Sequence, residues 1–411
     1  MPEYDALVSS DATGSWGWAG FRLVPVLGGP PSHPLAVFSP AEAEARTAHD
    51  EAAWLSAQWH SRLGGRFEVR YRNEPPAAGD RSAAGSPGRL RCVCLCRVQE
   101  ANPGRAAAAA VALRDQLAAS LPGHVRAEPL ADARELQNWL VPFPLPSADG
   151  THAEIAKVLT ARPASRPGAR RQAIAAVSTY STDRVSWEPL LRRLDALPFP
   201  AVLTVGIKCV PSSDALQQGL AQLAADYAEL ARPAAGSPPY SDISPGDEFA
   251  GYAAKRCAED ARRYNGPLFR LRISLAAAQP LPADLAGWLA QALSARGAAP
   301  AAGARVLLPV PGEREQAWRN IASLSGTWLA RTHLGALPLE AVAPELRDLM
   351  VMADLAEARC AVQLPVAWPG RPPLYAALSA PKPAVDPWPA APGDAGPKII
   401  DPFLLEQQSD L

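Results

Sequence analysis

The chain has 411 residues, 48% of apolar type and 20% charged, a composition that folds rather than stays disordered. Its 40 basic and 41 acidic residues give a formal charge of −1, so no global field draws it to nucleic acid or an anionic membrane. It has no apolar run of the roughly 18 residues a membrane span needs and no basic leader region, and six cysteines are too sparse for a disulfide scaffold, so a reduced, cytoplasmic protein is expected.

Trp16, Trp18 and the apolar run Phe21–Leu27 predict a strand or two before Gly28-Gly29-Pro30-Pro31. Ser39 with Glu42 three residues on is a capping-box pattern, and Ala45, Ala48, Ala52, Leu55, Trp59 and Leu63 then recur at helical spacing up to Gly64-Gly65. Phe67-Glu68-Val69-Arg70-Tyr71 alternates as a half-buried strand does, with Leu90–Val98 as its hairpin partner. Asn102-Pro103 opens an alanine-rich helix; a short strand at His124–Ala127 and a helix near 131–140 complete a first module, residues 1–143.

Residues 144–185 read as a linker with an Arg-rich segment, weakly patterned around one short helix over 144–173. A second module, residues 186–365, holds a helix at Trp187–Leu197, a strand at Ala201–Val210, helices after Pro211 and at 247–264, and a strand at Phe269–Leu275. It continues with a helix near 282–295, a strand at Arg305–Leu308 and helices at 312–323 and 344–359. Both modules carry a glycine followed by Phe-x-x-Arg on a strand, at Gly65–Arg70 and Gly266–Arg272, from a duplication or from chance. The expected fold is α+β: two similar layered helix/strand modules plus an extended Pro-rich C-terminal tail, residues 366–411. The tail ends in an apolar motif with Ile399, Ile400, Phe403, Leu404 and Leu405, suited to a partner's groove or to its own domain.

Motifs of catalysis are missing: G-x-x-x-x-G-K-[ST], G-x-S-x-G, H-E-x-x-H and C-x-x-C do not occur. Neither a cofactor, a metal nor a catalytic residue is therefore expected. Cys92, Cys94 and Cys96 would line one face of a strand, about 6.6 Å apart per step. That suits a buried core strand better than a zinc site, with metal binding or redox sensing as the alternative. Arg162, Arg166, Arg170 and Arg171 offer possible phosphate contacts, against a solvated or internally paired surface. Seven tryptophans at helices read as core anchors, whereas Trp16, Trp18, Trp368 and Trp388 lie in Gly/Pro-rich surroundings and suit an interface.

The order of Phe67–Tyr71, Leu90–Val98, Ser186–Leu191 with Pro200–Val205, and Asp354–Ala358 ending in Gln363-Leu364-Pro365 resembles a known arrangement. It is similar to the N-terminal, non-ATPase region of bacterial ATP-binding proteins related to HerA-like DNA translocases and conjugation-type traffic ATPases. There, a similar Leu-Pro segment leads into the ATPase domain; here the sequence ends 46 residues after Pro365 without a phosphate loop. The resemblance implies a non-catalytic assembly or adaptor subunit for a separately encoded NTPase, in DNA translocation or phage defence. The partner-binding candidates are then Trp368, Trp388 and the terminal apolar motif. An enzyme assembled from scattered residues such as Cys209, Cys257, His152 and Asp183, or a weak nucleic-acid binder, are the alternatives.

Overall fold

The computed structural model describes residues 6–26, 35–60, 65–75, 89–164, 170–211, 213–233, 246–295 and 303–376. The fold is α+β and centres on one ten-stranded sheet. In the first half, β2 (Gly14–Pro25), α1 (Pro40–His60), β3 (Arg66–Arg72), β4 (Arg91–Glu100), α2 (Pro103–Ala119) and β5 (Val125–Pro129) follow one another. These four strands lie in the order β5-β2-β4-β3, all antiparallel, and β1 (Leu7–Asp11) pairs antiparallel with the start of β2. In the second half the corresponding series is β6 (His152–Lys157), α4 (Glu188–Asp195), β9 (Ala201–Val210), β10 (Leu268–Ala277), α7 (Ala283–Ala292) and β11 (Ala304–Leu307). Its strand order, β11-β6-β10-β9, is the same. Each half therefore has the order of a ferredoxin-like βαββαβ unit.

The halves join through their equivalent strands. β3 pairs antiparallel with β9, Val69 opposite Val205, so the sheet runs unbroken from one half into the other. The likeness seen in the sequence falls elsewhere: it aligned Phe67 with Phe269, hence β3 with β10, but in the topology β3 corresponds to β9.

One sheet face is apolar. Phe67, Val69 and Tyr71, the Cys92/Cys94/Cys96 row, Leu203, Val205 and Ile207, and Leu271, Ile273 and Leu275 share one core with Trp54 of α1, Leu113 of α2, Leu190 of α4 and Leu289 of α7. Helix α2 approaches β2 so closely that a Cβ on Gly17 would lie 2.2 Å from the Ala106 carbonyl oxygen. Its alanine run, capped by Asn102 Oδ1 accepting from the Arg105 N–H at 2.9 Å, makes that approach possible.

The opposite face is mixed. Over the first half it is covered by α3 (Ala133–Leu140), which packs Trp139 and Leu140 with Trp18 and Val93. Over the second half α8 (Arg314–Ala322) sets Trp318 and Ile321 against Val202 and Ala276. A separate cluster joins the hairpin β7 (Leu159–Pro163) and β8 (Ala173–Val177) to α5 (Asp214–Leu230), α6 (Glu248–Arg263) and α10 (Pro344–Leu349). No helix of the described residues is long and apolar enough to cross a membrane.

Four expectations change. The 144–185 stretch, expected as a linker around a short helix, holds β6, β7 and β8 and no helix among its described residues. Its Glu154 and Lys157 side chains are buried and His152 is partly so, and these polar residues disguise an interior strand. Phe67–Tyr71 is buried on both faces, not one, because Glu68 and Arg70 pair with each other. The helix expected at 344–359 is broken by the strand β12 (Met352–Asp354), where Asp354 and Glu357 form a capping box that starts α11 (Leu355–Ala361). Trp18, expected at an interface, is buried, its indole N–H donating to the Ser323 carbonyl at 3.0 Å.

Candidate functional site

Strand alternation puts every second residue of β3, β9, β10 and β6 on the mixed face. Those positions are Arg66, Glu68 and Arg70; Thr204, Gly206 and Lys208; Arg270, Arg272 and Ser274; and His152 and Glu154. Glu68 sits at the centre. Its Oε1 accepts from Arg70 Nε at 2.9 Å, and its Oε2 accepts from Arg272 Nη2 at 3.0 Å. Gly206 lies between Glu68 and Arg272 in the strand register, and having no side chain it leaves the path between them open. Arg70 is fully buried and also donates to the carbonyls of Leu140 and Ile321, so its charge and hydrogen bonds are satisfied.

Arg272 is different. One Nη2 serves Glu68 and the Asn320 carbonyl, while its buried Nε and Nη1 have no partner among the described residues. Beside it, on the edge of β10, β6 pairs as far as Ile273 and β12 begins at Arg270. A cavity of about 280 Å³ opens at this gap. Arg272 and Glu154 line it, with Arg66, Arg347, Trp328 and His333 around them. The Glu154 Oε1, Arg347 Nε and Trp328 Nε1 atoms are likewise buried without partners.

Electrostatically the site is cationic. Arg66 is held to the Ser325 carbonyl at 3.0 Å, and burial followed by the nearby Arg272 pushes its guanidinium down to about 10. Lys208 is lowered by burial and by Arg66 and Arg270. Asp348 is committed to Arg270 at 2.6 Å. Burial raises Glu154 to about 7, so much of its charge is absent near neutrality. His333 Nδ1 faces the Leu329 carbonyl at 2.8 Å, an acceptor only, which puts the ring proton on Nδ1 and leaves Nε2 as an acceptor 3.8 Å from Glu154 Oε2. Burial lowers His333 and favours this neutral form. Buried, unpaired N–H groups of a planar fork suit a carboxylate or phosphate.

The residues singled out from the sequence lie elsewhere. Trp368 is half-buried in the wall of a second groove, about 290 Å³, between α1 and residues 363–375, with the Arg371 guanidinium 5.6 Å from its ring. Trp388, Ile399, Ile400, Phe403, Leu404, Leu405 and Arg166 lie outside the described residues. Arg170 and Arg171 both pair with Asp226, at 3.5 and 3.0 Å, and Arg162 sits 4.9 Å over the Phe249 ring. Cys209 packs on the sheet core and Cys257 in the cluster of α5 and α6, so these two thiols are not brought together. Burial raises both, as it does Cys92, Cys94 and Cys96, and a raised thiol is a poor nucleophile. No sequence motif marks the cavity residues, although Phe-x-x-Arg ends in Arg272; the available signal is charge at inward positions of apolar strands.

No protein-family model matches the chain, and no curated protein matches it.

Proposed function

We propose that the chain is a ligand-binding protein whose Arg272 cavity takes a small organic anion. The observation that carries this reading is the Arg272 guanidinium, nine-tenths buried, with two nitrogens, Nε and Nη1, unpaired among the described residues, on a residue that lines a cavity. A buried donor left unmade costs about 1–3 kcal/mol, and an anion satisfies it while offsetting the excess of arginine. At about 280 Å³ the cavity suits a metabolite-sized molecule rather than a larger one. Titration calorimetry with small carboxylates and phosphates on the full chain tests it. Binding that Arg272→Met removes supports the reading; no binding of any such anion overturns it.

A second reading is the adaptor subunit implied by the sequence resemblance. It is favoured by the Trp368 groove and by Val37 and Phe38, 76% and 41% exposed, just ahead of the α1 residues that line that groove. Rigid aromatics beside exposed apolar residues suit a protein partner. A pull-down of the tagged chain should recover a P-loop NTPase, and Trp368→Ala should lower the yield; recovery of the chain alone argues against association.

A further inference from the structure

Arg272 and Glu154 are the two ends of one unfinished arrangement. Glu154 stands opposite Ser274 on the neighbouring strand, and Arg272 lies two residues along β10 on the same face. In such a diagonal, Cβ atoms lie about 7–8 Å apart or somewhat less, within reach of both long side chains for one small molecule. Arg272 brings unpaired donors, and Glu154 brings an unpaired acceptor, Oε1, on a side chain 5% exposed. The other acid of the cavity, Asp348, is already held by Arg270. A simple anion would complete Arg272 but leave Glu154 unmatched. A ligand with a cationic N–H group close to its carboxylate would complete both.

From this geometry, and resting on the anion-binding reading above, we infer that the ligand is a zwitterion of the α-amino acid class. Its carboxylate lies against Arg272 and its ammonium donates to Glu154. Trp328, also in the cavity lining, has an indole N–H without a partner among the described residues, a further donor for the carboxylate or for a polar side chain of the ligand. Binding of this kind ionises Glu154, because a cation placed beside a buried carboxyl favours its charged form.

The experiment is calorimetry on the full-length chain at pH 7.5. The twenty L-α-amino acids are titrated singly, followed by the tightest binder's deaminated carboxylic acid and its decarboxylated amine. The expected result is at least tenfold tighter binding of the amino acid than of either analogue. Glu154→Gln should remove that preference, weakening the amino acid at least tenfold while leaving the carboxylic acid within about twofold. A thermal melt of the variant, unchanged or higher, shows that it is folded. Equal binding of amino acid and carboxylic acid, insensitive to Glu154→Gln, overturns the zwitterion and leaves the anion-binding reading standing. Absence of binding by amino acids, carboxylic acids and phosphates alike overturns both.

Discussion

Glu68 and Arg272 stand 204 residues apart in the chain, yet the carboxylate of one accepts from the guanidinium of the other at 3.0 Å, across the bare backbone of Gly206. This bond ties β3 to β10 over the strand between them, and with Arg70 it forms a buried triad of two cations and one anion. Burying charges is expensive, and only full pairing and hydrogen bonding offset that cost.

Glu68→Gln should therefore destabilise strongly. It leaves Arg70 and Arg272 buried and charged without a counter-ion, a loss of about 3–5 kcal/mol by analogy with broken buried pairs. Urea denaturation monitored by tryptophan fluorescence measures it. A change below about 1 kcal/mol would mean that solvent reaches the triad.

Gly206 is the second test of the same contact. A Cβ there would lie 3.3 Å from Glu68 Oε2, so Gly206→Ala should be tolerated with a small shift. Gly206→Val adds two methyl groups in the path between Glu68 and Arg272 and should cost as much as ordinary overpacking, about 1–3 kcal/mol. Combined with Glu68→Gln, the valine should cost less than it does alone, because the contact it disrupts has gone. Full additivity in the double mutant would contradict the bridging role.

Glu154 should leave a signature in pH dependence. Burial raises its folded pKa to about 7, from an ordinary value of about 4.3 in an unfolded chain. The groups that bear on it are Arg272, Glu313 and His333. Between those two pH values the folded protein keeps a proton that the unfolded chain has released. Its contribution to stability is thus complete below about pH 4 and is lost as the pH rises through 7. His152, lowered to about 3 by burial, works in the opposite sense, gaining stability as pH rises towards 6.5. The difference between Glu154→Gln and the parent isolates Glu154. The variant's melting temperature, relative to the parent's, should climb from pH 4.5 to 7.5 and level off above. A constant difference would show an ordinary carboxyl.

Gly17→Ala should separate packing from charge. The added methyl would meet the backbone carbonyl oxygen of Ala106, which no side-chain rotation can move aside, so α2 or β2 must shift. A loss of about 1–3 kcal/mol or more is expected, with anion binding at the distant Arg272 cavity retained in the folded fraction. Normal stability would mean that α2 rides higher over the sheet.

The elements that the sequence revealed share a physical trait: their burial pattern follows one period. Ser39 and Glu42 capped α1 as expected, and Ala201–Val210 is a strand with Leu203, Val205 and Ile207 on the core face. Where charge enters the interior, the pattern misleads. β6 read as linker because His152, Glu154 and Lys157 resemble surface residues, although Lys157 is paired with Glu357 at 3.0 Å and donates to Tyr264 at 2.8 Å. The cavity was hidden for the same reason, since Arg66, Arg272 and Arg347 differ from surface arginines only in what the fold sets around them. No local rule foretells a contact like that of Glu68 with Arg272.

The β3–β9 seam also bears on how the chain can be divided. Cut between its halves, each piece would keep five strands of the ten-stranded sheet, yet bare a long row of unpaired N–H and C=O groups along β3 or β9. Such edges recruit further strands, so separately produced halves should self-associate or aggregate, and co-expression should rescue both by restoring the seam. Although it contains the same topological unit twice, the protein should therefore unfold as one cooperative body, and fragments intended to isolate either half should need the other's strand to stay monomeric.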